Sequence, residues 1–438
     1  VGRVSQERSA KEVTAKFKQY MFASNATFYD EAVALESGKG AYVRDFDGNT
    51  YLDFFGGILT VGLGHGHERV NAAVRAQIER LGHVSTMYPT LPVAELAEKL
   101  VRLSPGKLEK VFFCASGTEA DETAVALAQL YTGRQEVVAL RHGYAGRTML
   151  AQSLTANSKY RALPTQAAAV KHAHAPYCYR CPFGLSYPSC EIKCAQDIEE
   201  LIQTTTVGQV AGIIIEPILG VGGFIAPPPG WMKLAVEIVK KYGGIFICDE
   251  VQTGFGRTGG KMWGVEHEGL VPDVLTSAKG IANGYPLSAV VTTSAISGAW
   301  KGGNISTFGG NNVSCAAANA TIDAIQEEKL LDHAEAMGRI LREGLEALKG
   351  KHTVIGDVRG KGLMQGLELV QNEKAGDRAP NQAATLRLLE ETKRRGLFIG
   401  RGGVYGNVLR IAPPLVIAKA QIDDALKILD ESFAAPST

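Results

Sequence analysis

Short apolar runs recur between about Gly62 and Ala320: KVFFCAS, QEVVAL, AGIIIE, GIFICDE, DVLTSAK and SAVVTTS. Each is apolar on both faces, so a sheet built from them needs cover on both sides. The segments between them supply it. HERVNAAVRAQIERL is amphipathic at helical spacing, and TEADETAVALAQLYTG reads as a helix that stops at Gly133. Buried strands alternating with helices select a mostly parallel α/β sheet with helices on both faces. The flanks read differently. In GAYVRDFDGNTYLDF, a turn at Asp47-Gly48 separates two alternating runs, which is a hairpin signal. From about Asn319 a long helical stretch leads to a polar linker, QNEKAGDRAPNQ. The helix TLRLLEETKRRG, the strands LFIGRGG and VLRIAPP, and the helix AQIDDALKILDESF close the chain. The expected division is residues 1–60 and 321–438 as the two parts of a smaller α+β domain, around a large α/β domain at 61–320.

Composition removes several classes of function. Lys plus Arg is 46 and Asp plus Glu is 45, so the net charge is 46 − 45 = +1. Bulk charge gives no attraction to nucleic acid or to an anionic membrane. No stretch approaches the ~20 apolar residues of a membrane span; the run Val210 to Ile215 stops at Glu216. The opening VGRVSQERSAKEVTAKFKQY is too charged for a secretory signal, so a cytoplasmic protein with reduced cysteines is expected. The 50 glycines fall in separate clusters, as tight turns and close backbone approaches to a ligand require.

In open parallel sheets, ligands bind beyond the carboxyl ends of the strands. After KVFFCA, Ser116-Gly117-Thr118 opens a helix, where free N–H groups suit a phosphate, although Ser and Thr are also ordinary caps. After GIFIC stand Asp249 and Glu250, carboxylates that a buried strand tip tolerates only with partners. After DVLTSA stands Lys279, whose desolvation would lower its pKa and free its amine as a nucleophile. Each has a structural reading of its own. Together they are the parts of a pyridoxal phosphate site: an amine to hold the cofactor, an acid for the pyridinium nitrogen and a phosphate cradle.

The block IFICDEVQTGFGRTGGKMWGVEHEGLVPDVLTSAKGIANGYPLSAV, followed by STFGGN, sets Asp249 and Lys279 279 − 249 = 30 positions apart. On these residues the chain resembles the class III aminotransferases, also called omega-aminotransferases, from roughly Gly38 to Pro414. The resemblance implies fold type I, with a mostly parallel seven-stranded sheet in the large domain. It also implies pyridoxal 5'-phosphate as cofactor and a homodimer, or dimer of dimers, with active sites at the subunit interface. Lys279 would hold the cofactor covalently and carry the proton, and Asp249 would keep the ring nitrogen protonated. Gln252 would contact the ring hydroxyl, Tyr144 would stack on the ring, and Glu216 matches the acid near it. Ser116, Gly117 and Thr118 match the phosphate loop. Thr307, in STFGG, matches the Thr that reaches the phosphate in the partner subunit. In HGYAGRT, Ala145 stands where the family commonly has His.

The same resemblance bears on substrate. Arg410, in NVLRIAPPL, matches the Arg that clamps an α-carboxylate, and Arg147 matches a position that binds a distal carboxylate in 4-aminobutyrate-type branches. Gly57-Ile58 matches a pocket wall. EPILGVGG departs from the EPxQGEGG pattern at Val221, so the acid that switches off the clamping Arg in the 4-aminobutyrate branch is missing. Val221 with Arg410 points to the alanine–glyoxylate type, with amino-acid or amine donors and pyruvate or glyoxylate as acceptor. An omega-amine or 4-aminobutyrate-like pyruvate transaminase is the alternative, and an aminomutase or decarboxylase would share Lys279 and Asp249. Cys178, Cys181, Cys190 and Cys194 have spacing compatible with a structural zinc, two disulfides or four reduced thiols.

Overall fold

A computed structural model describes residues 9–25, 27–164 and 167–436; residues 1–8, at the start of the expected N-terminal segment, lie outside the described residues. Near the start, β1 (Leu35–Lys39), β2 (Tyr42–Asp45) and β3 (Thr50–Asp53) form a meander, with β2 and β3 joined through Asp47-Gly48 as the sequence predicts. The apolar runs then become β4 (Lys110–Cys114), β5 (Val137–Leu140), β6 (Val170–Ala173), β7 (Gly212–Ile215), β8 (Ile245–Asp249), β9 (Val274–Ser277) and β10 (Ser288–Thr292). They make one seven-stranded sheet in the order β4-β10-β9-β8-β7-β5-β6. The run from β9 to β6 is parallel, while β10 lies antiparallel to both of its neighbours. This is the α/β, fold type I arrangement.

Strand β6 has no counterpart among the sequence-predicted runs. Its VKHA is half polar because it lies at the sheet edge, where Lys171 and His172 stay partly exposed. The expected polar linker at 371–382 is also corrected. It is the turn of a hairpin between β12 (Met364–Asn372) and β13 (Asp377–Pro380), following β11 (Ile355–Lys361). Closing the chain, β14 (Leu397–Phe398) pairs in parallel with β3, and β15 (Gly400–Gly402) pairs with β16 (Val408–Ile411), which lies against β12. The two ends of the chain therefore share a sheet. An exposed helix at Ala10–Tyr20, capped by Ser9, precedes them.

Local chemistry fixes the helix ends that matter. The Ser116 hydroxyl accepts the Glu119 N–H (3.3 Å), which starts the helix Gly117–Thr132, and Gly133, in the left-handed region at φ 69°, ends it. Its buried face is Ala120, Asp121, Ala124, Val125 and Ala128. The expected long helical stretch is two helices, Asn312–Glu327 and Leu330–Lys351, broken at Lys329 with φ 51°. Among the described residues no helix is long and apolar enough to cross a membrane.

Candidate active site

The sheet brings three strand ends to one place. Asp249 and Glu250 both follow the buried run of β8, and the structure separates their roles. The Glu250 carboxylate accepts from the Thr253 hydroxyl (2.5 Å) and the N–H groups of Gly264 (2.9 Å) and Val265 (2.7 Å), so it ties the following loop. Asp249 uses one oxygen, Oδ1, on the Val251 N–H (2.9 Å) and turns to a cavity of about 290 Å³. Burial raises its pKa to about 6, against the Val251 N–H and Lys279, which hold it down. Lys279 follows β9 with φ 44°, a left-handed conformation that is costly for a residue with a side chain. Desolvation lowers its pKa, while Asp249, Glu216 and Asp121 act in the opposite direction.

Ser116, Gly117, Thr118, Tyr144, Asp249, Gln252 and Lys279 all line this cavity. Two glycines make the fit possible. A Cβ on Gly146, whose φ is +128°, would come 1.9 Å from Thr118 Oγ1, and one on Gly220 would come 2.3 Å from the Gln252 amide. Glu216, just past β7, accepts from the N–H groups of Tyr144 (3.0 Å) and Gly220 (2.8 Å), and so holds the Tyr144 segment over the cavity. Burial and then Asp249 raise its pKa to about 8.

Arg410 lies beside this group on β16, in register with Gly366 and Gly400, and Gly402 leaves its side chain room, since a Cβ there would come 2.8 Å from Arg410 Cδ. It is 3% exposed. Its guanidinium lies 4.8 Å from the Phe55 ring centroid and 5.7 Å from that of Phe224. Nε donates to the Arg401 carbonyl (3.0 Å), and Nη1 is buried without a hydrogen-bond partner. Desolvation lowers its pKa to about 10. Buried Val221 stands nearby, its carbonyl accepting from Gly403 N–H (2.9 Å) on the β15–β16 hairpin.

Five expected site residues are not part of this cavity's wall: Glu216 and Arg410, which are buried beside it, and Ile58, Arg147 and Thr307. Ile58 is 45% exposed and has φ 66°, within a left-handed run from Gly56 to Leu59; its neighbour Thr60 lines the cavity instead. Arg147 is exposed one residue beyond Gly146, near enough to Tyr144 to lower that phenol's pKa against the larger effect of burial. Thr307 is exposed on the loop before the helix Asn312–Glu327. One charged cavity residue escaped sequence reasoning. Asp121 is buried on the face of the helix Gly117–Thr132 that packs on the sheet, and a single acid in the otherwise apolar stripe of TEADETAVALA was the available signal.

The four clustered cysteines are free thiols that line one cavity of about 20 Å³ with Tyr187 and Pro228. Among the described residues no three His, Cys, Asp or Glu side chains are grouped to hold a metal ion.

The residues of the main cavity fit pyridoxal phosphate. A helix N-terminus closed by glycine and Thr118 suits its phosphate, and Asp249 suits its ring nitrogen. The buried Gln252 Oε1, which has no hydrogen-bond partner, suits its ring hydroxyl. Lys279 supplies the amine. Comparison with known proteins agrees. The family described as aminotransferase class-III matches residues 24–433. The Arabidopsis thaliana protein named alanine–glyoxylate aminotransferase 2 homolog 2, mitochondrial, is 43% identical, over 97% of this chain and 88% of its own. Human alanine–glyoxylate aminotransferase 2, mitochondrial, is 34% identical over 94% and 84%. Among solved structures, a Bacillus anthracis aminotransferase superposes with a TM-score of 0.91 at 32% identity, covering 99% of this chain and 100% of that one. The strand-tip acid, the amine and the phosphate cradle thus have a family that accounts for all three: the chain belongs to the class III aminotransferases and depends on pyridoxal phosphate.

Proposed function

We propose that this enzyme transfers the amino group of an amino acid, alanine foremost, to glyoxylate or pyruvate by a ping-pong sequence. The observation that carries the reading is Arg410: buried, held by one backbone carbonyl, and with Nη1 unpartnered beside Val221 in place of an acid. A buried cation without a carboxylate suits a substrate that brings one.

When bound, the cofactor supplies an electron sink that allows the substrate α-C–H bond to break heterolytically. The protein does the rest. Ser116, Gly117 and Thr118 bind the phosphate through N–H groups and hydroxyls. Asp249 holds the proton on the ring nitrogen, Gln252 orients the ring hydroxyl, and Tyr144 covers a ring face. Arg410 fixes the substrate carboxylate, which turns the α-hydrogen toward Lys279. Lys279 would hold the cofactor, and its free amine would move that proton between the substrate α-carbon and C4′. Burial lowers its proton affinity, which favours the free amine that acts as the base.

Arg147, exposed beside Tyr144, favours a second reading in which donors with a distal carboxylate, such as 4-aminobutyrate, are also accepted. Thr307 belongs to a two-fold assembly in this reading, reaching the phosphate in the partner subunit. Ile58, Met87, Tyr88, Ile305 and Phe308 are large apolar side chains left exposed in the single chain, which supports a homodimer or a dimer of dimers. The residues 61–320 form the cofactor-binding domain, and 1–60 with 321–438 form the smaller one. A cytoplasmic location belongs to this proposal, the two relatives above carry mitochondrial names, and cell fractionation decides between the two.

A donor panel tests the function. Alanine alone should remove the absorbance of the lysine-bound cofactor, and pyruvate or glyoxylate should restore it. A spectrum that alanine does not change would refute the alanine-type reading. Loss of that absorbance with 4-aminobutyrate or simple amines instead would then establish the alternative.

A further inference from the structure

We propose that Asp121 is a positioning residue that acts through Asp249: it stands beside Asp249 as a neutral, hydrogen-bonding carboxyl group, so that Asp249 remains the anion that faces the cofactor ring. This rests on the pyridoxal phosphate reading of the cavity and goes beyond it, because none of the roles above uses Asp121.

Asp121 lies in the second turn of the helix whose N-terminus cradles the phosphate, and it points into the sheet among Ala120, Ala124 and Val125. It is 2% exposed and lines the same cavity as Asp249 and Lys279. Its Oδ1 accepts the Thr276 hydroxyl (2.7 Å), and Thr276 on β9 stands directly opposite Asp249 on β8. The helix thus presses a second carboxyl group against the strand pair that carries the first.

The charged and titratable groups facing Asp121 are Asp249 from β8, Glu216 from the end of β7, Lys279 beyond β9 and the Cys114 thiol from β4. Three carboxyl groups therefore face one amine. Even with Arg410 near Glu216 and Lys279, full ionisation would bury an excess of negative charge, and like charges at close range in a dry site cannot all be sustained. The hydrogen bonds decide which group gives way. Glu216 has two backbone N–H donors, and Asp249 has the Val251 N–H as well as Lys279 facing it. Asp121 has one hydroxyl and no ion pair among the described residues. Burial and the neighbouring Asp249 push its carboxyl well above the usual range. A neutral acid and an amide have the same shape and offer similar hydrogen bonds, so asparagine can replace it. An anion at this point would instead oppose the charge on Asp249.

The experiment measures the dissociation constant of pyridoxal phosphate from the full-length apoprotein between about pH 5 and 9, by absorbance, for wild type, Asp121→Asn and Asp121→Leu. Protonation of Asp249 sets the acidic limb of binding. The Asn variant should keep the wild-type affinity within about threefold, with its acidic limb unmoved. The Leu variant removes this polar neighbour of Asp249, so it should bind about tenfold or more weakly, with the limb moved up by about one pH unit. Two results overturn the proposal. One is an Asn variant whose limb falls by about a unit and whose binding tightens, which would show that Asp121 is charged in the wild type. The other is a Leu variant that titrates like wild type, which would show no action through Asp249. If a thermal melt shows that the Leu variant does not fold, the comparison of Asn with wild type decides alone. Wild-type apoprotein that binds no pyridoxal phosphate would overturn the reading of the cavity itself, and this proposal with it.

Discussion

Replacing Arg410 with methionine separates what this residue does for the substrate from what it does for the fold. Methionine keeps the length and apolar stem of the side chain and removes the charge. The folded protein loses one hydrogen bond, Nε to the Arg401 carbonyl, worth about 1 kcal/mol net. It also sheds a buried cation that forms no ion pair among the described residues, a desolvation cost of several kcal/mol per ion in general. The melting temperature of the apoprotein should therefore stay level or rise. The substrate loses a charge-assisted hydrogen bond to its carboxylate, about 1.5–3 kcal/mol, so KM for alanine and for pyruvate should rise by roughly 10- to 100-fold. Simple amines, which carry no carboxylate, should react as before or faster. Steady-state kinetics on alanine and on 1-phenylethylamine, beside thermal melts of the same samples, give both readouts. An alanine KM within twofold of wild type would refute the clamp. A strong loss of apoprotein stability would show that the guanidinium serves the fold.

Val221→Glu should copy the kinetic half of that result, because a carboxylate at this buried position beside Arg410 would compete with the substrate; unchanged alanine kinetics would place Val221 outside the pocket. Lys279→Ala should abolish turnover and the absorbance of lysine-bound cofactor while leaving the melt intact, and normal turnover would end the mechanism given above. Asp249→Asn should weaken cofactor binding yet stabilise the apoprotein at neutral pH. The Asp249 pKa is raised in the folded state to about 6, so its share of stability is complete below its unfolded pKa near 4 and is lost as pH rises through 6. That loss is about 2–3 kcal/mol at pH 7, an amide escapes it, and an apoprotein melt that falls in the variant would contradict the sign. At the cysteine cluster, exposed Cys178 should react first with a thiol reagent, and slowly at neutral pH because burial raises its pKa. Four titratable thiols with no stoichiometric zinc are expected, and about one zinc per chain would show that the cluster closes on a metal.

The strand tips were legible because buried strands write their sequence twice, as unbroken apolar runs and as the polar residue that ends each run. Asp249 and Lys279 stand out for that reason, and the helix start at Ser116 announces itself by its cap. Asp121 was only faintly legible. Within TEADETAV it stands between Glu119 and Glu122 and reads as one more exposed acid near the helix start, and only the direction of the helix face shows it buried. The β12–β13 hairpin was concealed by QNEKAGDR, a charged turn whose composition resembles a linker. Arg147, Thr307 and Ile58 were recognisable by resemblance alone. All three are exposed in the single chain, so neither burial nor an apolar run marks them in the sequence.

The two-residue parallel pairing of β14 with β3 sets Leu397 against Leu52, a separation of 397 − 52 = 345 residues. Closing a loop of that length costs roughly 5 kcal/mol of chain entropy before any contact offsets it. The large sheet has no such delay, since all its strands lie between Lys110 and Thr292. During synthesis the sheet that carries the cofactor can therefore assemble while the first fifty residues wait for the last forty. Over that interval Tyr51, Leu52 and Phe54, buried in the finished protein, lack their cover from Phe398 and its neighbours. A chain truncated just before Leu397 would make that exposure permanent, and its expected fate is aggregation through the open β3 edge, not a soluble enzyme with a missing tail.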